Sequence, residues 1–276
     1  MTSIKIGLSP CPNDTFIFDA LLHQKIDTQG LTFESVFADV EELNEKAFKG
    51  ELAVSKLSYH ALALLHDEYQ ILNSGSALGS GVGPLLIAKK HLSEAEVNGA
   101  RIAIPGKLTT ANFLLSLAYP SATDKKEMLF SNIESAVLNE EVEAGLIIHE
   151  NRFTYQEKGL VKLIDLGNYW EEVSGSLIPL GGIAVKRGMD EKLKKTIDQL
   201  IHQSIAFAFE NPESSKEFVR DHAQEMNEAV CQQHIDLYVN QYSLDLGTEG
   251  RAAVKTLFSQ AQKKGLIENV NQDIFV

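Results

Sequence analysis

One histidine, His149, closes the apolar run Ala144-Gly145-Leu146-Ile147-Ile148 and is followed at once by Glu150-Asn151-Arg152. A run this short reads as a fully buried parallel strand. The first titratable side chain past the C-terminal end of such a strand stands where open α/β sheets bind their ligands. An imidazole there can trade a proton near neutral pH. The other reading is a histidine that only hydrogen-bonds a loop, and this segment alone does not separate the two.

Three further turns carry groups of chemical interest. Ser55-Lys56-Leu57-Ser58 closes the third predicted strand, so Lys56 offers a cation at a strand end and Ser58 caps the next helix. In a chain of net charge −13, that lone lysine reads as a partner for an anion, or as a plain solvated side chain. Pro105-Gly106-Lys107-Leu108-Thr109-Thr110-Ala111 joins a strand to an apolar helix. First-turn amides at Thr110 and Ala111, with the adjacent hydroxyls, make a carboxylate site, or Thr110 serves only as a cap. Ser9-Pro10-Cys11-Pro12-Asn13-Asp14-Thr15 follows the first strand as a stiff rim, with Asn13 or Asp14 capping the helix. Cys11 has no histidine nearby in sequence to activate it, which disfavours a nucleophile.

The glycine-rich stretch Gly75 to Pro84 leads into a strand, not a helix. It is therefore neither a dinucleotide fingerprint nor a phosphate loop, and suits close backbone approach or a flexible connection. No second histidine or carboxylate stands at metal-ligand spacing from His149, so no metal is expected. The remaining histidines, His23, His60, His66, His91, His202, His222 and His234, fall on predicted helices or surface turns.

Periodicity supplies the elements that position these groups. Strands are predicted at Ile4–Ser9, Leu31–Phe37, Leu52–Val54, Tyr69–Leu72 and Leu85–Lys89, with helices at Thr15–Gln24, from Asp39 to Gly50, and Ser58–His66. Asp39 with Glu42 has capping-box spacing. A second block gives strand Arg101–Ile104, helix Thr110–Ala118, strand Lys125–Phe130, helix Ser131–Asn139 and strand Val142–Ile148. Ser131 with Glu134 repeats the capping-box spacing. Leu160–Ile164, a short helix near Tyr169-Trp170-Glu171, and Ile178–Lys186 follow. Beyond Met189 only helices are predicted, through about Gly265, one beginning at Asn211-Pro212.

This alternation predicts an α/β chain with central mixed sheets and a helical C-terminal segment. Crossover strands near 85–89 and 178–186 predict a discontinuous first domain, 1–90 plus 187–276, with 91–180 inserted as a second α/β domain. Such a clamp would hold a ligand between its halves. The acidic balance argues against nucleic acid. No apolar stretch is long enough for a membrane helix, and no secretory leader is visible. Two cysteines make no disulfide framework. A cytoplasmic protein acting on a small molecule is the expectation, with no oligomeric state readable.

Several of these segments, taken together and in order, resemble one family. They are Ser9-Pro10-Cys11-Pro12-Asn13-Asp14-Thr15-Phe16-Ile17-Phe18, Lys56-Leu57-Ser58-Tyr59, Gly79 to Pro84, Thr109-Thr110-Ala111 and Gly145 to Tyr155. Tyr238-Val239-Asn240 and Ser243-Leu244-Asp245 extend the likeness. The chain is similar to the 1,4-dihydroxy-6-naphthoate synthases of menaquinone biosynthesis by the futalosine route. The resemblance implies a periplasmic-binding-protein type II fold without export, and a lyase that needs no cofactor. Its substrate would be cyclic dehypoxanthinyl futalosine, cleaved to 1,4-dihydroxy-6-naphthoate and dihydroxyacetone. The family's histidine base would fall on His149, and its substrate contacts on Lys56, Leu57 and Ser58 and on Thr110 and Ala111. Competing readings are a small-acid binding protein or sensor of the same fold, and a chorismate dehydratase of the same pathway.

Overall fold

The computed structural model describes residues 2–223, 227–268, 270 and 272–276. Its contacts divide the chain into two compact units, one of Met1–Gly79 with Pro179–Val276 and one of Ser80–Ile178.

In the first unit, β1 (Thr2–Leu8), α1 (Pro12–Leu22), β2 (Leu31–Phe37), α2 (Val40–Phe48), β3 (Val54–Ser58), α3 (Tyr59–Leu64), β4 (Tyr69–Ile71) and β5 (Ala77–Gly79) follow one another. The second unit holds β6 (Leu85–Ala88), α4 (Glu94–Gly99), β7 (Ile102–Ile104), α5 (Thr110–Ala118), β8 (Lys125–Glu127), α6 (Ile133–Leu138), β9 (Ala144–Ile147), α7 (Asn151–Thr154), β10 (Val161–Asp165) and α8 (Leu166–Ser174). The chain then returns through β11 (Ile178–Lys186) to α9 (Glu191–Glu210), α10 (Lys216–His222), α11 (Glu228–Tyr238), α12 (Gln241–Leu244) and α13 (Gly247–Lys263).

The first sheet has the order β2-β1-β3-β11-β4, with β5 also paired to β11. β1 runs parallel to β2 and β3, whereas β11 lies antiparallel between β3 and β4. The second sheet has the order β10-β6-β9-β7-β8. There β7 is parallel to β8 and β9, and β6 is antiparallel to β9 and β10. Strands buried on both faces explain the continuous apolar runs of the sequence. Ile4, Ile6 and Leu8 of β1 join Ile17 and Phe18 of α1 and Leu200, Ile201 and Ile205 of α9 in one core. Ser204 ties these helices by donating to the Ile17 carbonyl and accepting from the Leu21 amide. A separate core forms from Leu85, Ala103, Ile133, Val137 and Ile147.

Several boundaries differ from the sequence reading. The third strand begins at Val54, not Leu52, because its pairing with β1 and β11 starts there. β8 ends at Glu127, not Phe130, since its partner β7 offers only Ile102–Ile104. A 3-10 turn over Phe130–Asn132 then precedes α6, and another over Pro212–Ser215 precedes α10. The first segment of the first unit closes at Gly79 rather than 90, because β6 hydrogen-bonds within the second sheet. Three elements went unpredicted: β5, inside the glycine-rich stretch, α4, which Ser93 and Glu96 open with a capping box, and the single turn α7.

Candidate functional site

The candidate residues fall in both units: Lys56, Leu57 and Ser58 in the first, Thr110, Ala111 and His149 in the second. In the first unit they lie on one strand, β3, and in the second they follow two neighbouring parallel strands, β7 and β9.

β1 and β3 are aligned so that Gly7 faces Ser55. Lys56 lies inside β3, and its side chain is buried. A buried ammonium needs a counter-charge, and the turn after β1 supplies it. Pro12 occupies the first turn of α1, where its fixed φ suits a helix start. Asp14, two residues on, is fully buried and points back toward β1. Its Oδ2 accepts from the Ser9 amide at 3.1 Å and the Ser9 hydroxyl at 3.0 Å. Its Oδ1 accepts from Asn13 Nδ2 and from Lys56 Nζ, both at 2.8 Å. The expectation that Asn13 or Asp14 caps the helix is corrected: Cys11 stands at the cap position, with no side-chain cap bond, and Asp14 spends its oxygens on Ser9, Asn13 and Lys56. Nor is Lys56 a lone cation, since Asp14 offsets its charge.

The same network continues to α11. Asn13 Oδ1 accepts from Nε2 of His234 at 2.9 Å, and that imidazole is fully buried. His234 lies on a helix as expected, on its buried face. Ser58 precedes α3 but makes no cap bond; its hydroxyl accepts from Asn44 Nδ2 at 3.1 Å, while its amide donates to Asn44 Oδ1 at 2.9 Å. Leu57 is fully buried. Beside them Tyr59 shares a hydrogen bond with Ser76 at 2.8 Å. Burial pushes its phenol far above the ordinary range, so it stays neutral.

In the second unit, β7 and β9 are parallel neighbours with Ile102 facing Ala144. Thr110 follows one strand and His149 the other. Thr109, not Thr110, is the cap residue of α5: its hydroxyl accepts from the Asn112 amide at 3.1 Å and donates to the Gly106 carbonyl at 2.8 Å. Thr110 and Ala111 form the first turn, which holds no acidic side chain. Such a turn favours negative charge through its amides and dipole. Lys125, donating to Asn112 Oδ1 and Ser116 Oγ of the same helix, has its pKa lowered by burial.

β9 ends at Ile147, and His149 takes φ 56°, the left-handed region. Histidine tolerates that region better than branched residues do, at a cost of roughly 1–2 kcal/mol. This backbone reverses the chain into α7 and aims the half-buried imidazole at Phe130, ring centres 4.8 Å apart and edge-on. Arg152, one turn on, donates to the Gly83 carbonyl and pairs with Asp165 at 3.4 Å. Asp165 also caps α8 through the amides of Gly167 and Asn168. Glu171 holds the Ser80 hydroxyl and the Gly81 amide. A Cβ at Gly83 would lie 2.2 Å from the Gly167 backbone, so this part of the glycine-rich stretch is a tight seat against α8.

A family model described as menaquinone biosynthesis matches residues 4–263. The chain belongs to the menaquinone-biosynthesis family. Two relatives named 1,4-dihydroxy-6-naphthoate synthase share its full length. The Thermus thermophilus protein is 46% identical over 276 residues, covering all of both chains. The Streptomyces coelicolor protein is 39% identical, covering 98% of this chain and 97% of its own. A crystal structure from Archaeoglobus fulgidus matches with TM-score 0.90 and 40% identity, over 96% of this chain and 98% of that one. The alkanesulfonate-binding protein SsuA of Xanthomonas axonopodis pv. citri matches at TM-score 0.70 with 14% identity, over 98% and 95%. That likeness shows the periplasmic-binding-protein-like fold and nothing of activity.

Sequence reasoning missed the partners of the candidate residues. A lysine in the run Leu52-Ala53-Val54-Ser55-Lys56-Leu57 was itself a signal, because a lysine in a buried strand requires a carboxylate. Nothing local showed that Asp14, 42 positions away, would be that carboxylate.

Proposed function

We propose that this chain is a 1,4-dihydroxy-6-naphthoate synthase. It is a lyase cleaving cyclic dehypoxanthinyl futalosine to 1,4-dihydroxy-6-naphthoate and dihydroxyacetone, with His149 as general base. The observation that carries this reading is full-length identity of 46% to a relative bearing that name. Neither competing reading has comparable support, since the binding proteins matched share only the fold.

The chemistry suits the residues. The substrate is an organic acid, and the first turn of α5 at Thr110–Ala111 or the Lys56 ammonium would take its carboxylate, with Leu57 and Ser58 following Lys56 on β3. Imidazole at His149 would remove a proton from the sugar-derived part and start a retro-aldol type fragmentation. The ring becomes aromatic as carbon–carbon bonds break, so the step needs a base but no oxidant. One such base contributes about 10²–10⁴-fold.

His149→Asn is the sharpest test, because asparagine also tolerates the left-handed backbone and removes only the base. Turnover followed by appearance of the aromatic product should fall by about 10²-fold or more while binding persists. His149→Ala should behave alike. Near-normal turnover in both would remove His149 from this role.

A further inference from the structure

Glu134 was singled out by its spacing from Ser131 as half of a capping box, and it does not act as one. Ser131 lies inside the 3-10 turn Phe130–Asn132, and Asn132 stands at the cap position without a side-chain bond. The Glu134 carboxylate is instead buried beneath the segment that follows His149. Its Oε2 accepts from Asn151 Nδ2 at 2.5 Å and from Lys158 Nζ at 2.6 Å, while Oε1 is buried with no hydrogen bond among the described residues. Asn151 is itself buried and begins α7, two residues after His149.

We propose that Glu134 is a positioning residue for His149, tying the Asn151 turn, and with it the imidazole, to α6. The inference rests on the reading of His149 as base. Two contacts reach the His149 turn from one short stretch of chain: the Phe130 ring against the imidazole, and the Glu134 carboxylate on Asn151. The stretch is itself anchored to β9. A Cβ at Gly145 would lie 2.5 Å from Ile133 Cγ2, so only glycine lets α6 seat this closely on the strand that delivers His149. A left-handed histidine is not held by its own backbone preference, so contacts on both sides must hold it. Stability is a poor explanation for the carboxylate. Lys158 is 45% exposed, so its pairing is screened, and one buried oxygen stays without a hydrogen bond. A geometric role accounts for a charge in this place.

The test uses the full-length protein and four variants, Glu134→Ala, Glu134→Gln, Asn151→Ala and the double Glu134→Ala/Asn151→Ala, with His149→Asn as reference. Glu134→Ala should lower kcat about 10²-fold, as misplacement by an ångström does. KM should change by less than about threefold, because ground-state contacts are untouched. Glu134→Gln keeps an oxygen for Asn151 and should recover most of that loss. The double variant should be no worse than either single one, since both cut the same link. An independent readout is the His149 ring signal in ¹⁵N-histidine spectra, assigned by its disappearance in His149→Asn. It should move in Glu134→Ala and Asn151→Ala and return in Glu134→Gln.

Unmoved ring signals, unchanged kcat, or additive losses in the double variant would overturn the proposal. If Glu134→Ala does not fold, Asn151→Ala and Glu134→Gln decide by the same criteria. Should His149→Asn stay active while the ring signal still responds to Glu134, the base assignment fails and the tether stands; a silent ring beside an inactive His149→Asn sinks the tether alone.

Discussion

Asp14 and Lys56 illustrate how unequal the two halves of a buried ion pair are. Asp14 has four donors, from Ser9 amide and hydroxyl, Asn13 and Lys56, whereas Lys56 has Asp14 and, at 3.5 Å, the Gly75 carbonyl. Removing the lysine leaves a carboxylate with three donors. Removing the carboxylate leaves a buried ammonium with one long contact and strips Ser9 and Asn13 of their acceptor. Asp14→Ala should therefore destabilise by about 3–5 kcal/mol, the usual result of an uncompensated buried charge. Lys56→Met, which keeps most of the stem volume, should cost markedly less. Urea unfolding of both variants checks the order, and equal losses would show that Ser9 and Asn13 do not hold Asp14. The same reasoning separates what was legible from what was not. Lys56 and His149 stood out because each is a polar group at the end of an apolar run, and Thr110 because its hydroxyl and amide open an apolar helix. The partners of Lys56 and His149, Asp14 and Phe130, sit in other turns, and side-chain pairing across turns leaves no periodic trace in a sequence.

Three elements with a full pattern were read to the residue. Leu31–Phe37 and Ile178–Lys186 are strands with the predicted limits, and Thr110–Ala118 is a helix with the predicted limits. Those without one were missed: Asn151–Thr154 is a single turn, too short to show a 3.6-residue period, and Ala77–Gly79 hides among glycines. The room around glycine differs sharply between two elements of the second unit. At Gly145 an added methyl meets Ile133 at 2.5 Å and Val137 at 2.9 Å, both on the inner face of α6. At Gly99, the last residue of α4, it meets nothing within 4 Å. Gly145→Ala should overpack the strand–helix contact and destabilise by roughly 1–3 kcal/mol. It should also lower kcat, because α6 carries Glu134 and the preceding turn carries Phe130. Gly99→Ala should be neutral or stabilising by up to about 1 kcal/mol. Thermal unfolding with turnover on both variants is decisive; a silent Gly145→Ala would mean that α6 has room to move.

At the scale of the whole molecule, the two units make different demands on the chain. All five strands of the second sheet lie between Leu85 and Asp165, so every strand pairing closes within one continuous segment. Its ends are fastened inside the same unit: Ser80 and Gly81 to Glu171, Gly83 to Arg152, and the Leu177 carbonyl to the Trp170 indole at 2.9 Å. A segment with its own core and pinned ends has what an independently folding domain requires. Residues 80–178 expressed alone should unfold cooperatively in urea, with a slope of about 1–3 kcal/mol/M. The first unit lacks that independence. Its sheet places β11 between β3 and β4, and α1 packs on α9, so residues 1–79 alone would lack a strand inside the sheet and the helix covering α1. That fragment should stay unfolded, and adding 179–276 in trans should restore structure that neither piece has alone. Circular dichroism and amide spectra of the three samples give the answer. A disordered 80–178 fragment, or a folded 1–79 fragment, would show that cooperativity does not follow the division seen in the contacts.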